Sequence, residues 1–143
     1  MLALFGGLMA IAVLYSGATI EKHRVRSAAR SIYSDMQLAR MRALKEGKQW
    51  AVEFSGSTYS VKNSGADATW GNSDDQVQRV ADVADDFPGV SIDTSTITNS
   101  REIFYPDGTA TGGRVTLSTT SLTQSLCINS ITGNLMIVDG TSC

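Results

Sequence analysis

Two cysteines, Cys127 and Cys143, are the only thiol-bearing residues of the 143-residue sequence, and the second is its last residue. If they oxidise, each has one possible partner within the chain, so the sequence allows a single disulfide. Such a bond forms in an oxidising compartment, whereas in a reducing cytosol the same residues would be two free thiols. The outcome therefore depends on where this part of the protein resides.

Other residues that could do chemistry are sparse. His23 is the only histidine, and GxSxG, HExxH, Walker and GxGxxG patterns do not occur in the sequence. The serines and threonines of "STTSLTQS" alternate as on the outer face of a strand, and a hydroxyl without a positioned base is a poor nucleophile. We therefore predict that the protein is not an enzyme and uses no cofactor.

Three aspartates, Asp67, Asp74 and Asp75, lie in the longest irregular stretch of the sequence, residues 63–76. Clustered carboxylates can bind calcium, but this spacing does not match an EF-hand loop, and Trp70 in the middle is not a metal ligand. A solvated surface loop without a metal ion is the favoured interpretation. Trp70 would then be a contact residue on its surface.

Residues 1–20 contain no charged side chain. About 20 apolar residues are what an α-helix needs to cross a hydrocarbon core, so this segment predicts a helix buried in a membrane or against copies of itself. A cleaved secretory signal is the alternative, but no basic residue precedes the apolar run and the helical pattern continues beyond it. A buried core helix is disfavoured, because nothing later in the chain is apolar enough to enclose it.

Residues 21–47 predict an amphipathic continuation of the same helix. Apolar residues recur at alternating spacings of four and three, while the charged residues fall elsewhere on the helical wheel. Gly47 is expected to stop the helix in a left-handed conformation, with Lys45 and Lys48 at the negative end of the helix dipole. A helix of about 45 residues is about 65 Å long. The repeating apolar positions are Val25, Ala29, Ile32, Met36, Ala39 and Ala43.

From Trp50 onward the apolar period changes to two. Seven or eight short segments with β-branched residues are separated by turn signals such as Gly56-Ser57 and Thr132-Gly133-Asn134. This pattern predicts a β-rich head over residues 48–143, with antiparallel strands in two sheets. The expected fold class is α+β, in which the amphipathic half of a long N-terminal helix packs on the head and its apolar half protrudes.

Charge is distributed unevenly along the chain. Residues 1–50 hold eight basic and three acidic side chains, whereas the remainder holds four basic and eleven acidic ones, for a formal net charge of -2. A basic stem therefore carries an acidic head. Because phosphate binding relies on an excess of Lys and Arg, nucleic acid is not an expected partner.

The helical motif "RVRSAARSIYSDMQLARMRALKEG", together with "YPDGTATGG" near Tyr105 and "SITGN" near the C-terminus, resembles the type IV pilin superfamily. More narrowly, nearly the whole chain is similar to the GspH/FimT family of pseudopilins and minor pilins. The resemblance implies a structural subunit of a pilus or of a type II secretion pseudopilus. It also implies processing and N-methylation by a prepilin peptidase, residence in the inner membrane, and transfer by an assembly platform into a periplasmic or extracellular filament of related pilins.

The start of the sequence departs from the family pattern. Family members carry a glutamate at the fifth position of the mature protein, where this sequence has Phe5 and no acidic residue before Glu21. The expectation is that Met1 lies inside the apolar span and that the natural chain begins further upstream. If Met1 is instead the mature start, the family's pairing of that glutamate with a neighbour's N-terminal amine is unavailable, and assembly rests on apolar helix packing alone.

The resemblance also implies which residues mediate assembly. Arginines below the head are expected to face acidic lipid headgroups before assembly and acidic heads of neighbouring subunits after it, although they could equally be solvated charges. These arginines are Arg24, Arg26 and Arg30. In the filament core, apolar helices of neighbouring subunits pack together. The residues expected there are Leu4, Leu8, Ile11, Leu14 and Tyr15.

An alternative function within the same family is DNA binding. FimT-like members of competence systems are implicated in DNA uptake, with basic residues near a Gly-Arg-x-Arg motif on the last hairpin. The corresponding stretch here is Gly133-Asn134-Leu135-Met136, which has no arginine, and Arg114 is the nearest basic residue in sequence. The missing arginines count against a DNA-binding minor pilin, because a DNA-binding surface needs phosphate partners.

The membrane topology bears on the two cysteines. A single-pass chain with its basic flank at the membrane and its head outside places Cys127 and Cys143 in an oxidising compartment, which favours the disulfide over two free thiols. Closing a loop of this length is worth about 3 kcal/mol in the chain-entropy account.

Overall fold

The computed structural model describes the backbone from Leu2 to Cys143 and the side chains of residues 17–143. Helix α1 (Leu2–Glu46) is followed by Gly47, which adopts the left-handed conformation with φ +66°. Its N–H donates a hydrogen bond of 3.1 Å to the carbonyl oxygen of Ala43. The predicted helix stop at Gly47 is therefore confirmed.

Most of the apolar segment 1–20 lies outside the residues whose side chains the structure describes. Within the described part of the chain, no helix is long and apolar enough to cross a membrane. The packing predicted for this segment stays a prediction, and so do the roles of Leu4, Leu8, Ile11, Leu14 and Tyr15.

Across the described residues, eight strands form two antiparallel four-stranded sheets, as the sequence predicted. Sheet A has the order β3-β2-β1-β5, and sheet B has the order β4-β6-β7-β8. A four-residue helix, α2 (Val83–Asp86), follows β3. The strands are β1 (Trp50–Ser55), β2 (Thr58–Asn63), β3 (Gln76–Asp82), β4 (Ser91–Asp93), β5 (Arg101–Phe104), β6 (Gly113–Ser118), β7 (Thr123–Ile128) and β8 (Leu135–Asp139).

The core lies between α1 and the inner faces of both sheets. All six residues of the predicted apolar stripe are fully buried, with an exposed fraction of 0%. They share one apolar cluster with Trp50 and Phe104 of sheet A and with Val115 and Leu126 of sheet B. Helix α1 thus unites the two sheets, and the fold is α+β.

Strand β3, an edge strand of sheet A, contains an irregularity that fixes it to α1. The register with β2 shifts between Val61 and Lys62, which leaves Gln78 as an extra residue in β3. Because of this bulge, the consecutive residues Gln78 and Arg79 both reach α1, and Arg79 forms an ion pair of 3.2 Å with Asp35.

Candidate functional site

The lower end of α1, towards its N-terminus, projects beyond the head. Residues 17–20 are all exposed. Near this end, Glu21 joins α1 to the head: its carboxylate accepts from the hydroxyls of Ser121 at 2.7 Å and Thr120 at 2.8 Å. These hydrogen bonds lower the pKa of Glu21 below its usual range.

The three arginines predicted to act in assembly have different surroundings. Arg24 donates a hydrogen bond of 3.1 Å to the carbonyl oxygen of Pro88, so it helps to hold the head on the helix. Arg26 and Arg30 are exposed, and neither forms a hydrogen bond or an ion pair within the described residues. Two unpaired cations are therefore available on the lower helix, and their role in assembly stays a prediction.

The upper part of the same helix exposes apolar side chains that sequence reasoning missed. The exposed fractions are 36% for Leu38, 59% for Met41 and 49% for Leu44. At 100° per residue these three residues lie on the same face of α1 as Arg26 and Arg30. These residues recur every three positions in the sequence, and that spacing could have predicted a second apolar face of the helix. We call this exposed surface, cationic below and apolar above, the ridge; it consists of Arg26, Arg30, Leu38, Met41 and Leu44.

A second exposed surface lies on β3 and α2. Val77 and Val80 are 56% and 67% exposed, on the face of sheet A that points away from α1. Below them, Asp85 and Asp86 of α2 are exposed and make no ion pair or side-chain hydrogen bond within the described residues. We call this surface, acidic below and apolar above, the strip; it consists of Val77, Val80, Asp85 and Asp86.

The closing hairpin contains the predicted disulfide. Cys127 and Cys143 are bonded, with their Cα atoms 5.7 Å apart. After β8 the chain turns back across the outer face of sheet B, where the hydroxyl of Ser125 donates to the carbonyl oxygen of Gly140 at 2.7 Å. Arg114 donates to the carbonyl oxygen of Thr141. The disulfide thus fastens a terminal segment that covers polar residues of the sheet.

The turn between β7 and β8 is tied to the helix. Arg40 donates a hydrogen bond of 3.0 Å to the carbonyl oxygen of Thr132, and the Asn129 side chain accepts two backbone N–H groups within the turn. The basic residues beside this hairpin, Arg40 and Arg114, thus both donate to backbone carbonyls of their own chain. Each of the two guanidinium groups is thus engaged in one hydrogen bond within its own chain.

An open groove of about 570 Å³ borders the disulfide. None of its described side chains is ionisable once the two cysteines are bonded. It is lined by Cys127, Ile128, Asn129, Thr132, Asn134, Met136 and Cys143.

The acidic loop uses its carboxylates to hold its own backbone. Asp67 accepts from the N–H of Thr69, Asp74 from that of Ala66 and Asp75 from that of Gly71, at 2.8–3.0 Å. Within the described residues, no group of three or more ligating side chains could hold a metal ion. The indole N–H of Trp70 donates to the Gln49 side chain at 2.9 Å, and its ring lies against Arg101, so Trp70 packs on its own head.

One buried carboxyl group was also missed. Glu102 of β5 is fully buried, and burial raises its pKa to about 7. Its Oε1 accepts a hydrogen bond of 2.8 Å from the N–H of Gly112, while Oε2 has no partner within the described residues. Glu102 is therefore a titratable residue of the core with no exposed surface.

The chain was compared with known families and structures. The family model for the type II transport protein GspH matches residues 28–133. A comparison with curated proteins gives no match.

Several solved structures share the fold at low sequence identity. The type IV minor pilin FimU of Pseudomonas aeruginosa is 17% identical with a TM-score of 0.65, covering 86% of this chain and 97% of its own. The minor pseudopilin EpsH from the type 2 secretion system of Vibrio cholerae is 13% identical with a TM-score of 0.61, covering 81% and 97%. GspH of E. coli is 17% identical with a TM-score of 0.57, covering 82% and 89%.

Proposed function

The chain belongs to the GspH family, within the type IV pilin superfamily, and from that premise we propose that it is a structural subunit of a type IV pilus or of a type II secretion pseudopilus. It joins the filament through its N-terminal helix, alongside related pilins. Before assembly it resides in the inner membrane, where a prepilin peptidase and an assembly platform act on it. No catalytic step belongs to this function.

One observation carries the proposal. The helix continues below Glu21 towards its N-terminus, and residues 17–20 are exposed, including Ile20 at 49%. An exposed helix that bears apolar side chains gains free energy when it is buried against lipid or against other helices. The head in turn packs on α1 through the inner faces of both sheets. This division into a projecting helix and a packed head suits a filament subunit.

The proposal is tested on filaments from cells that produce the full chain and its assembly machinery. Mass spectrometry of purified filaments should detect the chain, and electron microscopy with an antibody against the head should place it on the filament. When the assembly platform is removed, the chain should stay in the membrane fraction. Recovery of the wild-type chain only in a soluble fraction would contradict the proposal.

DNA binding finds no support in the closing hairpin. Gly133-Asn134-Leu135-Met136 lacks cationic side chains, and Arg40 and Arg114 donate to carbonyl oxygens of their own chain. We expect no DNA retardation by the full chain beyond that of an acidic control protein at low salt. Retardation that weakens steeply with added salt would favour the alternative function.

A further inference from the structure

We propose that the ridge of one copy of this chain binds the strip of a second copy, with the two copies side by side and pointing in the same direction. The inference rests on the proposed function, because a filament of parallel subunits is what brings two such copies together. The residues of the ridge and of the strip would set the lateral contact between neighbouring subunits.

The two surfaces are complementary in charge. The lower ridge presents Arg26 and Arg30, and the lower strip presents Asp85 and Asp86. All four side chains are exposed, and none forms an ion pair within the described residues. Both pairs of charges are therefore available to form ion pairs with another molecule.

The two surfaces also match in their apolar parts. Above the charges, the ridge exposes Leu38, Met41 and Leu44, and the strip exposes Val77 and Val80. Single exposed apolar residues are ordinary on protein surfaces, but here they lie in line with unpaired charges on both surfaces. Contact between the ridge and the strip would remove five apolar side chains from water.

The order of the features fixes the relative direction of the two copies. Within one chain, Arg79 of β3 pairs with Asp35, so the apolar part of the strip lies level with the upper helix. Pro88, just beyond α2, bonds to Arg24, so the acidic part lies level with the lower helix. On both surfaces charge is therefore below and apolar side chains are above. In parallel copies the two charged parts meet each other and the two apolar parts meet each other, whereas antiparallel copies would place charge against apolar surface.

The spacing of the features agrees as well. From Arg30 to Leu38 the helix rises about 12 Å. From Val80 to Asp85 the path along the chain is about 11 Å long, through two residues of strand and the first residues of α2. The two surfaces therefore separate their charged and apolar parts by lengths of the same order. The exposed ion pairs add little affinity and mainly set the register, while apolar burial supplies most of the stabilisation.

Photo-cross-linking of the full chain tests the apolar contact. A photoreactive residue replaces Met41, filaments are irradiated, and the cross-linked peptides are identified by mass spectrometry. Cross-links should join position 41 to the segment around Val77 and Val80 of another copy. The matched control carries the photoreactive residue at Met136, which is 55% exposed on the closing hairpin, and should not reach that segment. Cross-links from position 41 to a different pilin, or to another segment of the chain, would overturn the proposal.

Charge exchange tests the ionic contact. The variant Arg26→Glu/Arg30→Glu and the variant Asp85→Lys/Asp86→Lys should each lower the recovery of the chain in filaments by about tenfold, because each creates like-charge contacts. All four substitutions in one chain should restore recovery, since both surfaces then exchange sign. Solvent-exposed Lys48 supplies the control, as Lys48→Glu lies outside both surfaces and should leave recovery unchanged.

The outcomes separate this inference from the function on which it rests. If the wild-type chain enters filaments and neither double variant alters its recovery, the contact is wrong and the proposed function stands. If the arginine variant is lost from the membrane fraction and the four-fold variant does not restore it, the arginines serve acidic lipid headgroups and the contact is again wrong. If the wild-type chain never enters filaments, the function itself fails.

Discussion

The phenol of Tyr59 donates a hydrogen bond of 2.6 Å to the carboxylate of Asp35, and this contact joins the first hairpin of the head to the middle of α1. Asp35 is 4% exposed and also forms an ion pair with Arg79. Two strands therefore supply hydrogen-bond donors to a carboxylate on the buried side of the helix. Burial, followed by the neighbouring Asp35 carboxylate, raises the pKa of Tyr59 to about 12. The phenol therefore stays a donor throughout the neutral range.

Replacing Tyr59 with Phe should destabilise the head by about 2 kcal/mol, because it removes a charge-assisted hydrogen bond from a buried carboxylate while keeping the aromatic ring. The measurement is chemical unfolding of the full chain in detergent, followed by the fluorescence of its two tryptophans, Trp50 and Trp70. Tyr105→Phe is the matched control, since the phenol of Tyr105 makes no hydrogen bond within the described residues. Equal losses in the two variants would show that the contact with Asp35 is not responsible.

Glu102 should make stability depend on pH. Its pKa lies at about 7 in the folded chain and at its ordinary 4.5 once exposed by unfolding, so the folded state binds this proton more tightly. The resulting stabilisation is complete below about pH 4.5 and is lost as the pH rises through 7, a decrease of about 3 kcal/mol.

The pH effect is measured as the difference in unfolding free energy between about pH 5 and about pH 8. Glu102→Gln should reduce this difference, because the amide does not titrate. Glu53→Gln is the control: Lys62 and Arg101 lower the pKa of Glu53 although its partial burial opposes them, so its titration lies below this window. An undiminished pH difference in Glu102→Gln would assign the effect to another group.

The disulfide should stabilise the closing hairpin. Cys127 and Cys143 are separated by 16 residues, and releasing such a loop costs about 3 kcal/mol in the chain-entropy account. Reduction of the wild-type chain, or the double variant Cys127→Ser/Cys143→Ser, should lower the unfolding free energy by this amount. Reductant should have no effect on the double variant. Unchanged stability of the reduced wild-type chain would mean that Arg114 and Ser125 hold the terminal segment without the bond.

Much of the helix and its buried face could be predicted from periodicity alone. The apolar stripe from Val25 to Ala43 keeps a helical repeat because one side of α1 faces a continuous core. Gly47 and Gly56 marked the helix stop and the first hairpin turn, since both adopt positive φ. The cysteine pairing followed from there being only two candidates.

The burial pattern of the strands and the path of the terminal segment depended on contacts between residues distant in sequence. In "EIFY" the alternation would favour burial of Ile103 and Tyr105, yet Glu102 and Phe104 are buried, because they pair with Val52 and Trp50 on the inner face. The extra residue Gln78 interrupts the alternation of β3, so the sequence pattern did not predict that Val77 and Val80 are exposed. The terminal segment across sheet B had no sequence signal, because its hydrogen bonds come from backbone groups.

Gly133 should be intolerant of a side chain for reasons of packing as well as backbone conformation. Its φ is +64°, and a Cβ atom there would lie 2.4 Å from the carbonyl oxygen of Gly108, so the turn between β7 and β8 would have to move away from the loop that precedes β6. Arg40, which lies 3.1 Å from the same position, would be displaced as well, and its hydrogen bond to Thr132 would be weakened.

We expect Gly133→Ala to destabilise the full chain by about 3 kcal/mol, of which about 1 kcal/mol reflects the left-handed backbone. Gly140→Ala separates these two contributions, because Gly140 has φ +87° with open space around it and should lose only the smaller amount. Chemical unfolding of both variants side by side makes the measurement. Equal losses would mean that the hairpin turn shifts freely, in which case the contact between the turn and α1 through Arg40 does not hold the upper end of the head in place.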